Sequence, residues 1–172
     1  MDAKMNKKQD IVKLAKAGNE PAEFALGKKG IFICPEDDSY YFKKSWHNGR
    51  RAFLNRRENH DLSFRKVLCP ADLMIKNGLW EGKVIIENPP KDKLTEIKNL
   101  IRNFDKVAQA KDTLDRIIKI DSEKGNLIVT TTENQMAHKL AKKIHDAFKK
   151  VSLKTSYQKA PGDAEIVWVK FQ

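Results

Sequence analysis

Apolar and polar positions in the second half of the chain follow two periods, which together predict a layer of helices on a sheet. Apolar residues at three- and four-residue steps predict one helix after Pro89-Pro90 and a second after Glu133. The first stripe is Leu94, Ile97, Ile101, Phe104 and Ala108, and the second is Met136, Leu140, Ile144 and Phe148. Alternating segments predict strands over Lys83–Glu87, Arg116–Asp121, Asn126–Thr131, Val151–Tyr157 and Glu165–Phe171. The resulting order, βαββαββ, predicts a split-βαβ (ferredoxin-like) domain with an extra strand, in which both helices cover one face of an antiparallel sheet.

Local signals indicate how these elements connect. The segment Ser122–Gly125 separates two predicted strands and is typical of a hairpin turn. Thr132 and Gln135 have the spacing of a capping box, so Thr132 is expected to cap the second helix. Pro161-Gly162 predicts the last turn.

The first half predicts a smaller module. Lys8–Ala17 favours a short helix, and two apolar segments, Gly30–Ile33 and Lys66–Leu68, each run into a Cys-Pro turn. A strand entering each Cys turn is typical of a zinc ribbon. The sequence therefore predicts an α+β protein with a zinc-ribbon-like module over residues 1–81 and the split-βαβ domain over residues 82–172.

The two Cys-Pro turns are the candidate metal site. Each turn has the spacing of a zinc knuckle, but its fourth position is Asp, which gives the ligand set Cys34, Asp37, Cys69 and Asp72. Three interpretations stay open: a ribbon without metal, a mixed-ligand zinc site, and a site in which His47 or His60 replaces an Asp. The metal-free ribbon is favoured because both second ligands are lost together, so zinc is a doubtful cofactor here.

Charge points to a polyanionic partner. The 34 basic residues exceed the 23 acidic ones, for a net charge of +11, which favours nucleic acid first and an anionic membrane surface second. No apolar run approaches the roughly 18 residues of a membrane span, and the first residues lack the apolar region of a signal peptide. We expect a cytoplasmic protein without a membrane partner.

A basic-aromatic window extends from Ser39 to Lys66 and is the candidate nucleic-acid site. Its cations interleave with rings, the combination that binds phosphates and stacks on unpaired bases of RNA. The rings of Tyr41, Phe53 and Phe64 are expected to pack on the module itself, whereas the cations are expected to bind RNA. The candidate binding residues are Lys43, Lys44, Trp46, Arg50, Arg51, Arg56, Arg57, Arg65 and Lys66.

Catalytic signatures are missing from the sequence. It contains no phosphate-binding loop, nucleophile elbow or dinucleotide fingerprint, and nothing in it pairs Cys34 or Cys69 with a base. No small-molecule substrate is evident. The sequence therefore predicts a protein that is not an enzyme.

A double Cys-Pro turn, followed by a strand, a long helix, a hairpin and a second helix, resembles the middle of the nonsense-mediated-decay-protein-three family, the large-subunit export adaptor of eukaryotes and its archaeal relatives. The likeness covers about residues 31–172 and is best at 83–102 and 131–140. The residues that match the family's Ser-Ser-x-x-Gln-x-Ala-x-Lys are Thr131, Thr132, Gln135, Ala137 and Lys139. Small bacterial zinc-ribbon proteins with a Ser-Trp-His segment look closer in length, and Ser45, Trp46 and His47 match that segment.

The resemblance implies association with rRNA or a ribosomal subunit. Asp37 and Asp72 stand where the family has Cys, so the zinc pairs are degenerate. The sequence thus favours a non-catalytic RNA-binding protein. Two alternatives remain: a protein-interaction adaptor with a structural or vestigial metal site, and a metal-dependent or thiol enzyme acting on RNA.

Overall fold

A computed structural model of the chain describes residues 30–158 and 164–172. The predicted helix Lys8–Ala17 and the predicted turn at Pro161-Gly162 lie outside these residues. The described part is an α+β structure with two mixed sheets and four α-helices.

The first sheet has four strands in the order β3-β2-β1-β4. These are β1 (Gly30–Ile33), β2 (Ser39–Phe42), β3 (Ser45–Asn48) and β4 (Ser63–Lys66). Strand β4 pairs with β1 in parallel, and the other pairs are antiparallel. Helix α1 (Arg50–Leu54) and a 3-10 turn (Arg57–Asn59) carry the chain from β3 to β4, and helix α2 (Pro70–Asn77) follows β4.

A small aromatic core holds helix α1 on this sheet. Ile31 and Phe53 are buried, and the Tyr40 ring stacks on the Phe53 ring with centroids 4.3 Å apart. The ring of Phe42 also contacts Phe53 at 5.1 Å. Helix α1 is too short to be stable alone, so this packing is what fixes the loop between β3 and β4.

The second sheet has five strands in the order β6-β7-β5-β9-β8. They are β5 (Gly82–Glu87), β6 (Ile117–Glu123), β7 (Asn126–Thr131), β8 (Val151–Gln158) and β9 (Ala164–Phe171). A 3-10 turn (Lys91–Lys93) leads into helix α3 (Leu94–Lys111), and helix α4 (Asn134–Ala147) follows β7. All five predicted strands and both predicted helices are confirmed, with ends that shift by a few residues.

The prediction of an antiparallel sheet is wrong at one pair, because β5 and β9 run in parallel. Strand β9 carries buried Val167, Val169 and Phe171, whereas residues 152–157 of β8 are all exposed. Burial therefore favours β9 beside the central strand and leaves β8 at the edge. Since β8 and β9 form an antiparallel pair, this exchange of places reverses the strand that lies next to β5.

Helices α3 and α4 cover one face of the five-stranded sheet with a single apolar core. Ile97 and Ile101 of α3 and Leu140 and Ile144 of α4 are fully buried against the strands. Strand β7 and helix α4 lie so close to Gly82 that an added Cβ would overlap Thr131 Oγ1 and lie 2.7 Å from Ala137 Cβ. A residue with a side chain at this first position of β5 would therefore prevent α4 from packing as it does.

The predicted capping box at Thr132 is wrong. The N-cap of α4 is Glu133, without a side-chain hydrogen bond to the helix. The Thr132 hydroxyl instead donates to the carbonyl of Leu114 at 2.8 Å and accepts from the backbone N–H of Arg116 at 2.9 Å. The Thr132 hydroxyl therefore bonds to residues that are distant in sequence and does not cap the helix. These bonds fix the chain just before β6.

The described part of the chain contains no helix that is both long enough and apolar enough to cross a membrane.

Candidate functional site

The four predicted metal ligands lie together. Cys34 follows β1, Asp37 lies in the turn after it, Cys69 is the N-cap of α2, and Asp72 lies in the first turn of that helix. One ligand atom from each falls within 4.8 Å of the others. We call these four residues the Cys-Asp cluster. Both cysteines are fully buried, and the Asp37 and Asp72 side chains are 17% and 11% exposed.

Local hydrogen bonds build the two turns. Asp37 Oδ1 accepts from the backbone N–H of Ser39 at 2.8 Å and from its hydroxyl, and the backbone N–H of Cys34 donates to the Ser39 carbonyl. In the second turn, Cys69 Sγ accepts from the N–H of Asp72 at 3.4 Å, with Pro70 at the first helical position. In both turns a side chain thus accepts a hydrogen bond from a backbone N–H group that has no backbone acceptor, as is usual at a turn and at the start of a helix.

The thiols are held in their protonated form. Cys34 Sγ donates to Asp72 Oδ2 at 3.0 Å, and Cys69 Sγ donates to the same oxygen at 3.1 Å. Burial raises the pKa of both thiols, and the Asp72 carboxylate raises it further. A thiolate, the form that ligates metal or attacks a substrate, is therefore disfavoured at neutral pH.

Arg116, the residue before β6, contacts both carboxylates of the cluster. Its guanidinium forms an ion pair with Asp37 Oδ2, lies 4.0 Å from Asp72 Oδ1, and donates to the Thr113 carbonyl at 2.9 Å. The Arg116 side chain is only 11% exposed. Burial raises the pKa of Asp37, but the hydrogen bonds from Ser39 and the Arg116 guanidinium outweigh it and hold the pKa below its usual value. The carboxylates thus receive a cation from the second half of the chain.

This arrangement tests whether a metal fits. Two sulfurs and two carboxylates are enough ligands for a tetrahedral ion. However, the guanidinium of Arg116 already occupies the carboxylate of Asp37, and Asp72 accepts from both thiols. An ion would have to displace Arg116 and remove two protons from thiols of raised pKa. The residues fit a metal in number and spacing but not in charge state. His47 and His60 are not in the cluster, and His47 Nε2 lies 3.1 Å from the Phe42 carbonyl oxygen.

Apolar contacts enclose the cluster and connect the two halves of the chain. Trp46 of β3 and Leu114 pack against Cys34, Cys69 and the buried Ala71. The Asn48 side-chain amide donates to the carbonyl of Gln109 in α3. Through these contacts and Arg116, the first sheet is joined to the second.

The predicted nucleic-acid residues divide into structural and exposed groups. Arg50 is structural, since its Nη1 donates to the Cys34 carbonyl at 2.6 Å and its Nε lies 3.6 Å from Asp38 Oδ1. Trp46 is half-buried and packs on the Cys-Asp cluster. The exposed group, which we call the exposed cations, is Lys43, Lys44, Arg51, Arg56, Arg57, Arg65 and Lys66.

The structure spreads the exposed cations over three places. Lys43 and Lys44 form the two-residue turn between β2 and β3, with φ of +50° and +66°. Arg51, Arg56 and Arg57 belong to the segment that joins β3 to β4. Arg65 and Lys66 lie on β4, at the edge of the sheet opposite β3.

The rings behave as expected with one exception. Phe53 is buried, and the half-buried Tyr41 ring lies between those of Phe32 and Trp46, at 6.0 Å and 5.6 Å. Phe64 was expected to pack on the module, but 56% of it is exposed. It lies on edge strand β4, whose four residues are all exposed.

Sequence reasoning missed Arg116, the residue that decides the state of the Cys-Asp cluster. Nothing near Arg116 in the sequence marks it, because it lies 44 residues beyond Asp72 and reads as the first position of a strand. The usable signal was indirect: two aspartates brought together in a buried turn require a cation.

No model of a known protein family matches the chain, and no curated protein sequence matches it.

Proposed function

We propose that this protein binds RNA without catalysing a reaction, through the exposed cations of its first sheet. The observation that carries this proposal is the exposure of all seven side chains in a segment of 24 residues. Arg51 is 86% exposed and lies at 4.0 Å from Asp38, a distance at which the pairing is weak. Cations that are exposed at a surface can contact phosphates.

The turn between β2 and β3 adds a second argument. A two-residue turn with positive φ at both positions favours Asn-Gly, because other residues are strained there. Lys43 and Lys44 occupy these positions with exposed side chains, and Lys43 Nζ lies 5.4 Å from the centroid of the Phe42 ring. Backbone strain that carries charge to a surface is typical of a binding site.

The Cys-Asp cluster supports the non-catalytic part of the proposal. A catalytic cysteine needs a lowered pKa and a nearby base, whereas burial and Asp72 raise the pKa of both thiols. We infer that the cluster is a metal-free structural centre, in which the guanidinium of Arg116 supplies the positive charge that zinc supplies in a ribbon.

Within this proposal, the first sheet and its two Cys turns are a degenerate zinc-ribbon-like module. The second sheet is a split-βαβ domain with an extra strand. The resemblance in sequence to the nonsense-mediated-decay-protein-three family makes rRNA on a ribosomal subunit the proposed target, in the cytoplasm.

The proposal is tested by sedimenting the full-length protein with ribosomal subunits at low and then at high salt. We expect the protein to sediment with one subunit and to be released by salt, because phosphate contacts release counterions. The variant R51Q/R56Q/R57Q should sediment less and show a shallower salt dependence. Arg50 is left unchanged in this variant because it supports the Cys34 turn.

A matched control is K106Q/K142Q/K143Q, which removes three exposed charges from helices α3 and α4. It should sediment like the wild type. Protein that stays at the top of the gradient in low salt would refute ribosome association. Discrete protein complexes free of RNA would favour an adaptor instead, and equal losses in the two variants would refute the assignment to the first sheet.

A further inference from the structure

The five-stranded sheet has a second face that the helices do not cover. Along β5 and β7, buried and half-buried residues alternate, and the buried ones meet α3 and α4. The alternate side chains, including Ile85 and Ile128, are half-buried and lie on the opposite face. Among the described residues, this face has no helix packed on it.

Strand register places a tryptophan on this open face, one strand from the edge. Ile85 of β5 pairs with Ile128 of β7 on one side and with Trp168 of β9 on the other. Trp168 in turn pairs with Lys154 of β8. Paired residues point to the same face, so one row across the five strands consists of Asp121 of β6, two isoleucines, a half-buried indole and a lysine.

A depression of about 460 Å³ adjoins this indole. Trp168, Lys154 and Lys170 line it, together with Ser152 and Glu87. Both lysines are exposed. The volume is within the range of roughly 300–1,000 Å³ that small ligand groups occupy.

The chemistry of these groups selects the ligand. An indole on an apolar floor offers a surface for stacking a planar base, and flanking ammonium groups offer contacts to phosphates. The Glu87 carboxylate accepts hydrogen bonds, which an N–H group on the Watson–Crick edge of an unpaired base can donate. A duplex hides its base faces, so the arrangement fits a single strand.

We propose that the open face of the five-stranded sheet binds single-stranded RNA, with a base stacked on Trp168 and its phosphates on Lys154 and Lys170. The proposal rests on the proposed function and extends it from the first sheet to a second surface. A strand that reaches both surfaces would engage the two halves of the chain together.

The test measures the affinity of the full-length protein for a fluorescein-labelled oligouridine of twelve nucleotides and for a twelve-base-pair RNA duplex, by anisotropy at several salt concentrations. We expect W168L to weaken oligouridine binding at least about fivefold, since stacking is lost, and W168F to retain most of it. K154Q/K170Q should weaken it about tenfold and lower the salt slope by about 1.4. The latter variant changes exposed residues only, so it remains informative if W168L does not fold.

The matched control is K142Q/K143Q, on helix α4 and away from the open face; it should stay within about twofold of the wild type. The proposal is overturned if the open-face variants also stay within that limit, if the control weakens binding equally, or if the duplex binds as tightly with the same losses. If R51Q/R56Q/R57Q loses affinity while the open-face variants do not, only the open-face proposal fails. Absence of RNA binding by the wild type would refute both proposals.

Discussion

At the scale of single residues, the Cys-Asp cluster shows how one distant side chain changes the chemistry of a motif. Asp37 and Asp72, brought together from two different turns, would repel each other, and the two thiols beside them cannot deprotonate easily. Arg116 compensates the carboxylates and is itself desolvated by them. The cluster thus combines an ion pair with two thiols that donate to the Asp72 carboxylate.

Because the pKa of Cys34 and of Cys69 is raised in the folded protein, the free energy of unfolding should decrease as the pH becomes alkaline. An unfolded thiol deprotonates above about pH 8.5, whereas the folded thiols stay protonated to higher pH. Their contribution to the free energy of unfolding is therefore complete below about pH 8.5. It is lost as pH rises, by up to about 1.4 kcal/mol per pH unit for each thiol.

Urea unfolding of the wild type and of C34S/C69S between pH 7 and 10 measures this contribution. Serine keeps a donor for Asp72 but does not titrate in this range, so the variant should lose much less stability as pH rises. Curves that fall in parallel would show that the thiols do not titrate as the structure requires.

At the scale of elements, the turn of the hairpin β2-β3 has two lysines at positions where the backbone conformation disfavours them, which lowers its stability and adds two charges. Lys43 and Lys44 hold positive φ in a turn that Asn-Gly would form without strain. We expect K43N/K44G to increase the free energy of unfolding by about 1 kcal/mol, because left-handed backbone disfavours lysine by about that amount or more. Urea unfolding checks the stability, and the sedimentation assay should show weaker ribosome binding.

The matched variant K43Q/K44Q separates the two effects. Glutamine removes both charges but is strained in the same way, so its stability should equal that of the wild type while its RNA binding falls. An unchanged stability of K43N/K44G would contradict the assignment of strain to this turn.

Most of the five-stranded sheet could be predicted at this scale, because its strands alternate and its helices repeat apolar residues at helical spacing. The parallel pairing of β5 with β9 could not, since β8 and β9 both alternate and differ only in how apolar their inner residues are. The N-cap of α4 was also missed, since Thr132 had a local partner in sequence and a better one 18 residues away, at Leu114.

At the scale of the whole molecule, Arg116 and Asp37 join the two halves. Replacing either one leaves a poorly solvated charge, so R116Q and D37N should each lower the free energy of unfolding by about 2–3 kcal/mol. The double variant should lose clearly less than the sum, because each replacement removes the partner that the other would leave unpaired.

Urea unfolding of the four proteins in this cycle gives the coupling energy. The control K119Q breaks the ion pair of Lys119 with Asp121, whose side chains are 69% and 48% exposed, and should change stability by less than about 1 kcal/mol. Additive losses in R116Q and D37N would show that the halves are not coupled through this pair.

The sequence by itself determined the elements of the second sheet, the basic character of the chain and the four members of the Cys-Asp cluster. These features depend on local periodicity, on composition and on spacing within short turns. Periodicity and spacing are properties of residues that are close together in the sequence, and composition does not depend on the fold. Only the tertiary structure decided that Arg116 neutralises the cluster, that Arg50 supports a turn, and that Trp168 lies between Ile85 and Lys154 on an open face. Each of those outcomes depends on which distant groups burial brings together, and the free energy of burial is a property of the folded molecule.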